Sequence, residues 1–486
     1  MARPSRRRAP CYKCGAFPPD ASMTRPNILI FFTDDQRFDT ISALGNPEIE
    51  TPNIDRLVAR GTTFTHAHIP CGTDGAICMP SRAMLHTGRT LFHLRDGGTS
   101  IPREHTMLGE TLRDAGYRTW GAGKWHNGRE AFNRSFDDGD EIMFGGMADH
   151  WNVPVYHYDP TGRYDSRLPQ IVHARETNEV HWREADHVHP GRHSSELLCD
   201  TAIDFLGKQE PGQPFFCYVS LLAPHDPRSM PERFRTMYAP EDIELPPNYL
   251  GGHPFDNGGL KIRDEVLADF PRTPEEVRRH IAEYRAMITH LDHEFGRVLD
   301  ALDETGLADN TLIVFAGDNG LAVGQHGLMG KQNCYEHSVR VPLVFAGPGI
   351  PEGTRTDSYV YLLDIFPTLC ELIDVPAPAT VEGQSLVDAM REPGTTVRET
   401  LYFAYVSHQR AVKNRTHKLI EYAVRNRTRQ TQLFDLANDP WETDNLAGKP
   451  GHEGLIAELR AELLRYRSTW EDSADRGQTF WERYDA

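Results

Sequence analysis

The stretch Pro26-Asn27-Ile28-Leu29-Ile30-Phe31-Phe32-Thr33-Asp34-Asp35 contains the clearest fold signal of the chain. The run from Ile28 to Phe32 is short, continuously apolar and preceded by a proline, which predicts a buried strand. Strands buried on both faces are typical of parallel sheets that helices cover on each side. Because two carboxylates, Asp34 and Asp35, follow the strand directly, polar chemistry is expected at its carboxyl end.

The same pattern recurs along the chain, with apolar runs separated by amphipathic segments. Further strands are predicted over Arg118–Trp120, Phe215–Leu222, Thr311–Ala316 and Val341–Ala346. Helices are predicted between and around them, over residues 51–60, 82–87, 106–115, 194–209, 274–304 and 362–373. This alternation predicts an α/β fold built on a large, mainly parallel sheet sandwiched by helices.

The pattern changes after about residue 395. Short strands are predicted over Arg410–Val412, Lys418–Val424 and Thr431–Leu436, followed by a helix over about 453–468. These elements indicate a smaller C-terminal α+β subdomain that contains an antiparallel sheet. We therefore predict three parts: a disordered N-terminal extension (1–22), a large catalytic domain (23–395) with an insertion or lid (146–195), and a C-terminal subdomain (396–486).

Composition limits the classes of partner. The chain has 486 residues and a formal net charge of −18, which argues against nucleic acid or an anionic membrane as a partner. The chain contains no run of about 18 apolar residues, so no membrane-spanning helix is expected. The basic start, residues 1–8, is not followed by an apolar segment typical of a signal peptide. We therefore expect a cytoplasmic protein, or a periplasmic one only if the true N-terminus is missing.

Polar residues follow the predicted strands where α/β sheets bind ligands, beyond the strands' carboxyl ends. The first set is Asp34, Asp35, Asp318 and Asn319. All four are oxygen donors, which favours a hard cation such as Ca²⁺ or Mg²⁺ over zinc. The second set is cationic or hydrogen-bonding and consists of Arg82, Lys124, His126, His225 and Lys331. Together the two sets predict an oxyanion site suited to sulfate, phosphate or carboxylate.

A segment in the first half of the chain narrows this choice: Cys78-Met79-Pro80-Ser81-Arg82, followed closely by Thr87-Gly88-Arg89. It resembles the signature of the type I, formylglycine-dependent sulfatases of the alkaline-phosphatase superfamily. Other blocks resemble the family in the same order: Thr33-Asp34-Asp35, Gly123-Lys124-Trp125-His126, Pro224-His225, Gly317-Asp318-Asn319-Gly320, Gly330-Lys331 and Arg340-Val341-Pro342-Leu343. The resemblance covers about residues 25–470 and implies an alkaline-phosphatase-like fold.

The resemblance also implies a set of roles. Cys78 would be converted to formylglycine by a formylglycine-generating enzyme that reads Cys-x-Pro-x-Arg. The modified Cys78 would share one Ca²⁺ with the four oxygen donors Asp34, Asp35, Asp318 and Asn319. Arg82 and His126 would orient the aldehyde hydrate, Lys124 and Lys331 would bind sulfate oxygens, and His225 with Lys331 would assist departure of the alcohol.

The expected function is hydrolysis of a sulfate monoester, on a sulfated carbohydrate and with activity on aryl sulfates. The alternative is a phosphonate monoester hydrolase or phosphodiesterase that uses the same site. Asn319 stands where those relatives have histidine, which favours the sulfatase. A catalytically dead binding protein is disfavoured because the matched reactive positions are all present. Within the 146–195 segment, Trp151, His181 and Trp182 are expected to contact the sugar. The alternative is that this segment is scaffold and that specificity lies in the 227–265 loop after His225.

Overall fold

A computed structural model describes residues 25–173, 175–210, 212–474 and 477–486. The predicted extension, residues 1–22, lies outside the described residues. The strands are β1 (Asn27–Thr33), β2 (Gly61–Phe64), β3 (Ala67–His68), β4 (Cys71–Gly72), β5 (Arg118–Lys124), β6 (Asp138–Met143), β7 (Pro154–Val155), β8 (Arg167–Ile171), β9 (Val180–Glu184), β10 (His187–Val188), β11 (Phe215–Ser220), β12 (Thr311–Gly317), β13 (Arg340–Val341), β14 (Leu343–Ala346), β15 (Thr354–Thr356), β16 (Val360–Tyr361), β17 (Leu401–Tyr405), β18 (Gln409–Lys413), β19 (His417–Tyr422) and β20 (Gln430–Asp435).

The α-helices are α1 (Pro52–Ala59), α2 (Cys78–Thr87), α3 (Leu108–Asp114), α4 (Arg129–Ser135), α5 (Ser194–Leu206), α6 (Glu232–Arg235), α7 (Pro274–Glu304), α8 (Glu336–Val339), α9 (Ile365–Leu372), α10 (Val387–Arg391), α11 (Glu453–Thr469) and α12 (Gln478–Asp485). The longest, α7, has the predicted bounds. Thr273 caps its first turn by accepting a hydrogen bond from the Glu276 backbone N–H. Among the residues that the structure describes, no helix is both long and apolar enough to cross a bilayer.

The main sheet has the strand order β15-β2-β14-β12-β1-β11-β5-β6. Strands β12, β1, β11, β5 and β6 run parallel to their neighbours in that series, whereas β14 is antiparallel to both β12 and β2. The sheet is therefore mixed but mostly parallel, as the alternation of strands and helices predicts. Every residue of β1 is buried, which agrees with its continuous apolar run and its central place.

Successive residues of β1 face opposite layers of helices. Leu29 and Phe31 belong to a core shared with α5 and α7, whereas Ile28, Ile30 and Phe32 belong to the core on the other face, shared with α2, α3 and α9. This division follows from the two-residue repeat of a strand. The two cores together place the carboxyl end of β1 inside the molecule and not at its surface.

The C-terminal sheet has the order β20-β19-β18-β17-β4. The sequence predicted three of its strands but missed β17 and β4. Strand β4 is a two-residue segment that runs parallel to β17 and lies six residues before Cys78. Helix α11 packs on this sheet through Leu459 and Leu463. The C-terminal sheet is therefore joined directly to the segment that begins α2.

Two element boundaries near the polar residues differ from the prediction. Helix α2 begins at Cys78 and not at Pro80. Pro80 therefore lies inside the first turn, where a proline is tolerated because the backbone N–H groups there have no helical partner. Gly88 ends the helix with φ of 63°, as predicted. Strand β5 continues to Lys124 and does not stop at Trp120, because its glycines leave the apolar pattern too weak to mark its end.

Candidate active site

Four oxygen-donor residues meet because two strands pair in register. The last residue of β1 is the partner of the last residue of β12, so Asp34 and Asp35 lie beside Asp318 and Asn319. The backbone N–H of Asp35 donates to Asp318 Oδ1 at 3.0 Å. None of the four side chains is more than marginally exposed. The predicted donor set therefore forms one buried cluster at the carboxyl ends of neighbouring parallel strands.

Arg82 holds two of these carboxylates from the first turns of α2. Its Nε donates to Asp318 Oδ2 at 3.0 Å, its Nη2 to Asp34 Oδ2 at 3.2 Å, and its Nη1 to the Lys124 carbonyl at 2.9 Å. The guanidinium is fully buried. These contacts make Arg82 a positioning residue for the carboxylates, whereas its implied role beside the hydrate stays a prediction.

Cys78 is the first residue of α2 and points at the same cluster. Its Sγ lies 3.4 Å from His126 Nδ1 and 3.6 Å from Lys124 Nζ, and Lys124 also hydrogen-bonds Asp34 Oδ2. Burial raises the pKa of the Cys78 thiol even though Lys124 and Lys331 oppose the shift. The unmodified sulfur therefore stays protonated at neutral pH and is a poor nucleophile as it stands.

His126 faces Cys78 as a neutral ring. Burial, followed by the charge of Lys124, holds the pKa of His126 well below its ordinary range. Gly146 lies against the other side of the imidazole: a Cβ at this position would stand 2.9 Å from His126 Nε2. Glycine at 146 thus permits the close approach of this loop, and the histidine is packed between that loop and the thiol.

The donor cluster fits a hard cation. Asp34 Oδ1, Asp35 Oδ2 and Asn319 Oδ1 are buried oxygens without a hydrogen-bond partner in the described chain. Asn319 donates its Nδ2 to Asp35 Oδ1 at 2.7 Å and to the Gly320 carbonyl at 2.9 Å, so its oxygen is left for another ligand. Buried polar atoms are rarely left unpaired. Three such oxygens together, without a histidine among them, suit Ca²⁺ or Mg²⁺.

Burial raises the pKa of two of the three carboxylates in the cluster. Burial, with a contribution from the charge of Asp34, raises the pKa of Asp35 to about 7 and that of Asp318 to about 6, although Lys331 and Arg82 oppose these shifts. Burial also disfavours the charged form of Asp34, but Lys124 and Arg82 outweigh it and hold the pKa of Asp34 well below its usual value. A bound cation would supply the compensation that Asp35 and Asp318 lack.

His225 and Lys331 lie on the opposite side of the cluster. Lys331 Nζ hydrogen-bonds Asp35 Oδ1, and His225 Nε2 lies 3.8 Å from Asp35 Oδ2. His225 Nδ1 lies 2.8 Å from the Asp226 carbonyl, which can only accept, so Nδ1 carries the hydrogen. Burial, followed by the charge of Lys331, lowers the pKa of His225 to about 4. The ring is therefore neutral and presents Nε2 toward the cluster.

A cavity of about 330 Å³ opens above these residues. It is lined by Gly75, Ala76, Cys78, His126, Gly146, His225, Ile262, Arg263, Asp264, Lys331 and Gln332. Of the predicted site residues, Cys78, His126, His225 and Lys331 thus face the cavity. Asp34, Asp35, Arg82, Lys124, Asp318 and Asn319 are not among its lining residues and form the buried layer beneath.

The lining includes Arg263 and Asp264, which lie in the 227–265 stretch that the sequence offers as the alternative location for specificity. They begin a short 3₁₀ helix, Arg263–Leu267. Gln332 also lines the cavity and was not singled out, because nothing in its local sequence marks a site. The 146–195 segment contributes Gly146 to the lining, but the lining does not include Trp151, His181 or Trp182. Trp182 lies on β9 and is 62% exposed. The cavity lining therefore gives no support to the expectation that Trp151, His181 and Trp182 contact the sugar, and that expectation stays a prediction.

Comparisons with known proteins identify the family of the chain. The sulfatase family model matches residues 26–375, and the model of the C-terminal part of N-sulphoglucosamine sulphohydrolase matches residues 324–469. A sulfatase of Formosa agariphila is 31% identical over 480 residues, which cover 94% of this chain and 89% of that protein.

Two solved structures share the fold. One is a protein in complex with its substrate D-glucosamine-2-N,6-O-disulfate, with a TM-score of 0.74, 21% identity and coverage of 93% of this chain and 99% of that one. The other is the phosphonate monoester hydrolase of Agrobacterium radiobacter, with a TM-score of 0.71, 22% identity and coverage of 92% and 96%. Since the family model matches well over half of the chain, the protein belongs to the sulfatase family of the alkaline-phosphatase superfamily and is a sulfuric ester hydrolase.

Proposed function

We propose that this enzyme hydrolyses a sulfate monoester of a sulfated carbohydrate, with Cys78 converted to formylglycine and with one Ca²⁺ in the active site. The observation that carries the proposal is the arrangement at the start of α2. There the Cys78 side chain lies beside Lys124 and within reach of Asp34 and Asp318, in a cluster with unpaired buried oxygens. The thiol itself is protonated, so the position is better suited to a modified side chain.

The cation would be held by Asp34, Asp35, Asp318 and Asn319 together with residue 78. When bound, it would withdraw charge from the sulfate oxygens and favour ionisation of a neighbouring hydroxyl. As formylglycine, residue 78 would offer two hydroxyls after hydration, one for attack on sulfur and one whose deprotonation expels sulfate, whereas serine would leave a stable ester.

The remaining steps belong to the chain's own side chains. Lys124 lies between Asp34 and residue 78, so its Nζ stands beside the position where the nucleophile would ionise. Lys331 faces the cavity, and the charge of Asp35 outweighs burial and raises its pKa well above the usual value. Lys331 is therefore the protonated group available to the departing alcohol, and His225, held by its Nδ1–H bond to Asp226, orients that oxygen.

A sulfated sugar is the substrate class that the cavity supports best. A volume of about 330 Å³ lies at the lower end of the range for small-molecule sites and accommodates a single sugar ring. The structural relative bound to a disulfated glucosamine supports the same class. A phosphonate monoester hydrolase or phosphodiesterase activity is the alternative. A panel of sulfated monosaccharide, aryl sulfate, phosphate diester and phosphonate monoester distinguishes them, and the highest kcat/KM on a phosphorus ester would replace the proposal.

The modification has a direct test. The tryptic peptide that contains Cys78 should be about 18 Da lighter than its thiol form, which is the difference between CH₂SH and CHO. Cys78→Ala should abolish turnover without changing the circular dichroism spectrum. Cys370→Ala, which changes another buried helical thiol in α9, is the matched control and should keep its activity. Full activity in Cys78→Ala, or an unmodified peptide in active enzyme, would contradict the proposal.

A further inference from the structure

A second group of metal-ligating side chains lies at the edge of the main sheet. The carboxylate of Glu141 on β6 lies within hydrogen-bond distance of two histidines. Its Oε1 lies 2.9 Å from His189 Nε2, and its Oε2 lies 3.0 Å from His187 Nε2. We call these three residues the edge cluster. Strand β6 is the last strand of the sheet, and none of the three belongs to the lining of the active-site cavity.

The backbone is specifically shaped to place Glu141 in this cluster. The register between β5 and β6 shifts at Ala122 and Gly123, so that Glu141 is the extra residue of a β-bulge. It has φ of 49°, a left-handed conformation that non-glycine residues seldom adopt. A bulge re-aims a side chain, and backbone strain of this kind often accompanies functional sites. Here it turns the Glu141 carboxylate, which is only 7% exposed, toward the two histidines.

The histidines are presented in a way that suits metal binding. His187 and His189 are two residues apart around β10, so extended backbone directs both rings to the same side. His187 Nδ1 hydrogen-bonds Asp186 Oδ1, which is the arrangement by which carboxylates orient metal-ligating histidines. The His187 ring also stacks on His157 with ring centroids 4.1 Å apart, and His157 Nδ1 bonds Asp140 Oδ1 at 2.7 Å.

Three potential ligand atoms converge in the edge cluster. His187 Nε2, His189 Nε2 and a carboxylate oxygen of Glu141 all lie within 4.8 Å of one another. The second nitrogen of His187 is already occupied by Asp186 Oδ1, so Nε2 is the atom that points at Glu141. A divalent cation could therefore be bound by both imidazoles and the carboxylate at once. His189 is 35% exposed at its side chain, so solvent and ions can reach the cluster.

We propose that Glu141, His187 and His189 form a second metal site, for a borderline divalent ion of the Zn²⁺ class. Two imidazoles and one carboxylate are a donor set that such ions accept, with the remaining position open to water. The ion would join edge strand β6 to β10 in the 146–195 segment. That segment also supplies Gly146 against His126, and His150, whose Nε2 lies 3.0 Å from the His225 carbonyl. The site would thus stabilise the loop that borders the catalytic histidines.

The test uses the full-length enzyme already loaded with Ca²⁺. Zinc titration by calorimetry, with metal content measured after desalting, should give one bound equivalent of Zn²⁺ in the wild type and a raised melting temperature. His187→Ala/His189→Ala should lose that equivalent and the thermal shift. His181→Ala, which removes an exposed histidine on β9 that bonds Glu179, is the matched control and should retain both.

Two further variants show whether the zinc binds at the edge cluster or in the active site, and whether lost binding reflects misfolding. Asp318→Asn should keep the zinc equivalent, because the edge cluster is separate from the catalytic carboxylates; its loss there would place the zinc in the active site and overturn the proposal. Glu141→Gln keeps the side-chain shape and serves if the double variant does not fold; it should weaken zinc binding at least tenfold. Equal zinc content in the wild type and in folded His187→Ala/His189→Ala would show that the cluster is only a hydrogen-bonded contact.

Discussion

Arg82 sets the geometry of the site by means of a single planar group. Its guanidinium is buried and contacts two carboxylates, Asp34 just after β1 and Asp318 just after β12, together with the backbone carbonyl of Lys124 on β5. A lysine at this position would provide one point charge and could not hold these three partners in fixed directions. The separation of Asp34 from Asp318 therefore depends on a residue that does not line the cavity.

At this scale, Asp318 has the sharpest expected effect. Asp318→Asn removes one negative charge from the cation cluster and weakens the partner of Arg82 Nε, so Ca²⁺ content and kcat should both fall, kcat by about 10²–10³. Chelation of the wild type should remove activity, and Ca²⁺ should restore it better than Zn²⁺ because the unpaired donors are oxygens. Asp300→Asn, an exposed partner of Arg56, is the control. Unchanged calcium content and turnover in Asp318→Asn would refute the cation site.

Arg263 is the residue expected to bind the remainder of the substrate. Its side chain is 55% exposed beside the cavity, and its Nη2 lies 3.4 Å from His225 Nε2. A guanidinium can bind a second sulfate or a carboxylate through paired hydrogen bonds. Arg263→Ala should raise KM about tenfold or more for a sugar with a second anionic group, about 1.4 kcal/mol, and should change aryl sulfate turnover little. Trp182→Ala should change neither; the opposite pattern would return substrate recognition to the 146–195 segment.

At the scale of elements, close backbone approach determines where Lys124 lies. Gly123, the residue before it on β5, has φ of 86°, and a Cβ there would stand 1.9 Å from the Ser220 carbonyl oxygen on β11. Neither the conformation nor the space allows a side chain. The same strand pair therefore both builds the sheet and delivers the lysine to Asp34.

Substitution of Gly123 tests this constraint. Gly123→Ala should cost about 1–2 kcal/mol from the left-handed conformation and a further 1–3 kcal/mol or so from the clash with β11, and it should lower kcat by displacing Lys124. Gly116→Ala is a matched control, since Gly116 has φ of 91° but nothing within 4 Å of an added Cβ. Urea unfolding and kcat measure both effects. Equal destabilisation of the two variants would mean that the approach of β11 is not limiting.

At the scale of the whole molecule, a buried ionic network joins the C-terminal sheet to the large domain. Glu336 in α8 pairs with Lys413 at 2.7 Å and Lys418 at 2.8 Å, and Lys418 also pairs with Glu442 at 2.8 Å. All four side chains are buried. Burial alone would raise the pKa of Glu336, but the charges of Lys413 and Lys418 outweigh burial and hold that pKa well below its usual value. Glu336 in α8 is therefore the carboxylate that both lysines of the C-terminal sheet share.

Removal of that carboxylate should destabilise the whole fold. Glu336→Gln leaves Lys413 and Lys418 with less compensation in a buried setting, a change that typically costs about 3–5 kcal/mol. Urea unfolding followed by circular dichroism measures the loss. Glu104→Gln, which breaks an exposed pair with Arg95, should leave the unfolding midpoint nearly unchanged. A midpoint for Glu336→Gln equal to that of the control would show that the network contributes no net stability.

The sequence alone determined those features that depend on neighbours along the chain. Apolar runs predicted β1, β11 and β12, and an amphipathic segment predicted the bounds of α7, because both signals are carried by consecutive residues. The polar residues after strands could likewise be selected in advance, since parallel strands end at a common edge. These local signals were sufficient for the fold class and for the family.

Only the tertiary structure decided what depends on the path of the chain between distant segments. Strand β4 is two residues long and exists because β17 pairs with it, and no two-residue pattern can predict a strand. Arg263 reaches the cavity from a short 3₁₀ helix, Arg263–Leu267, and Glu141 meets His187 and His189 through a bulge. The physical reason is common to all three: contacts between residues tens of positions apart are set by packing of the intervening elements, of which the local sequence carries no record.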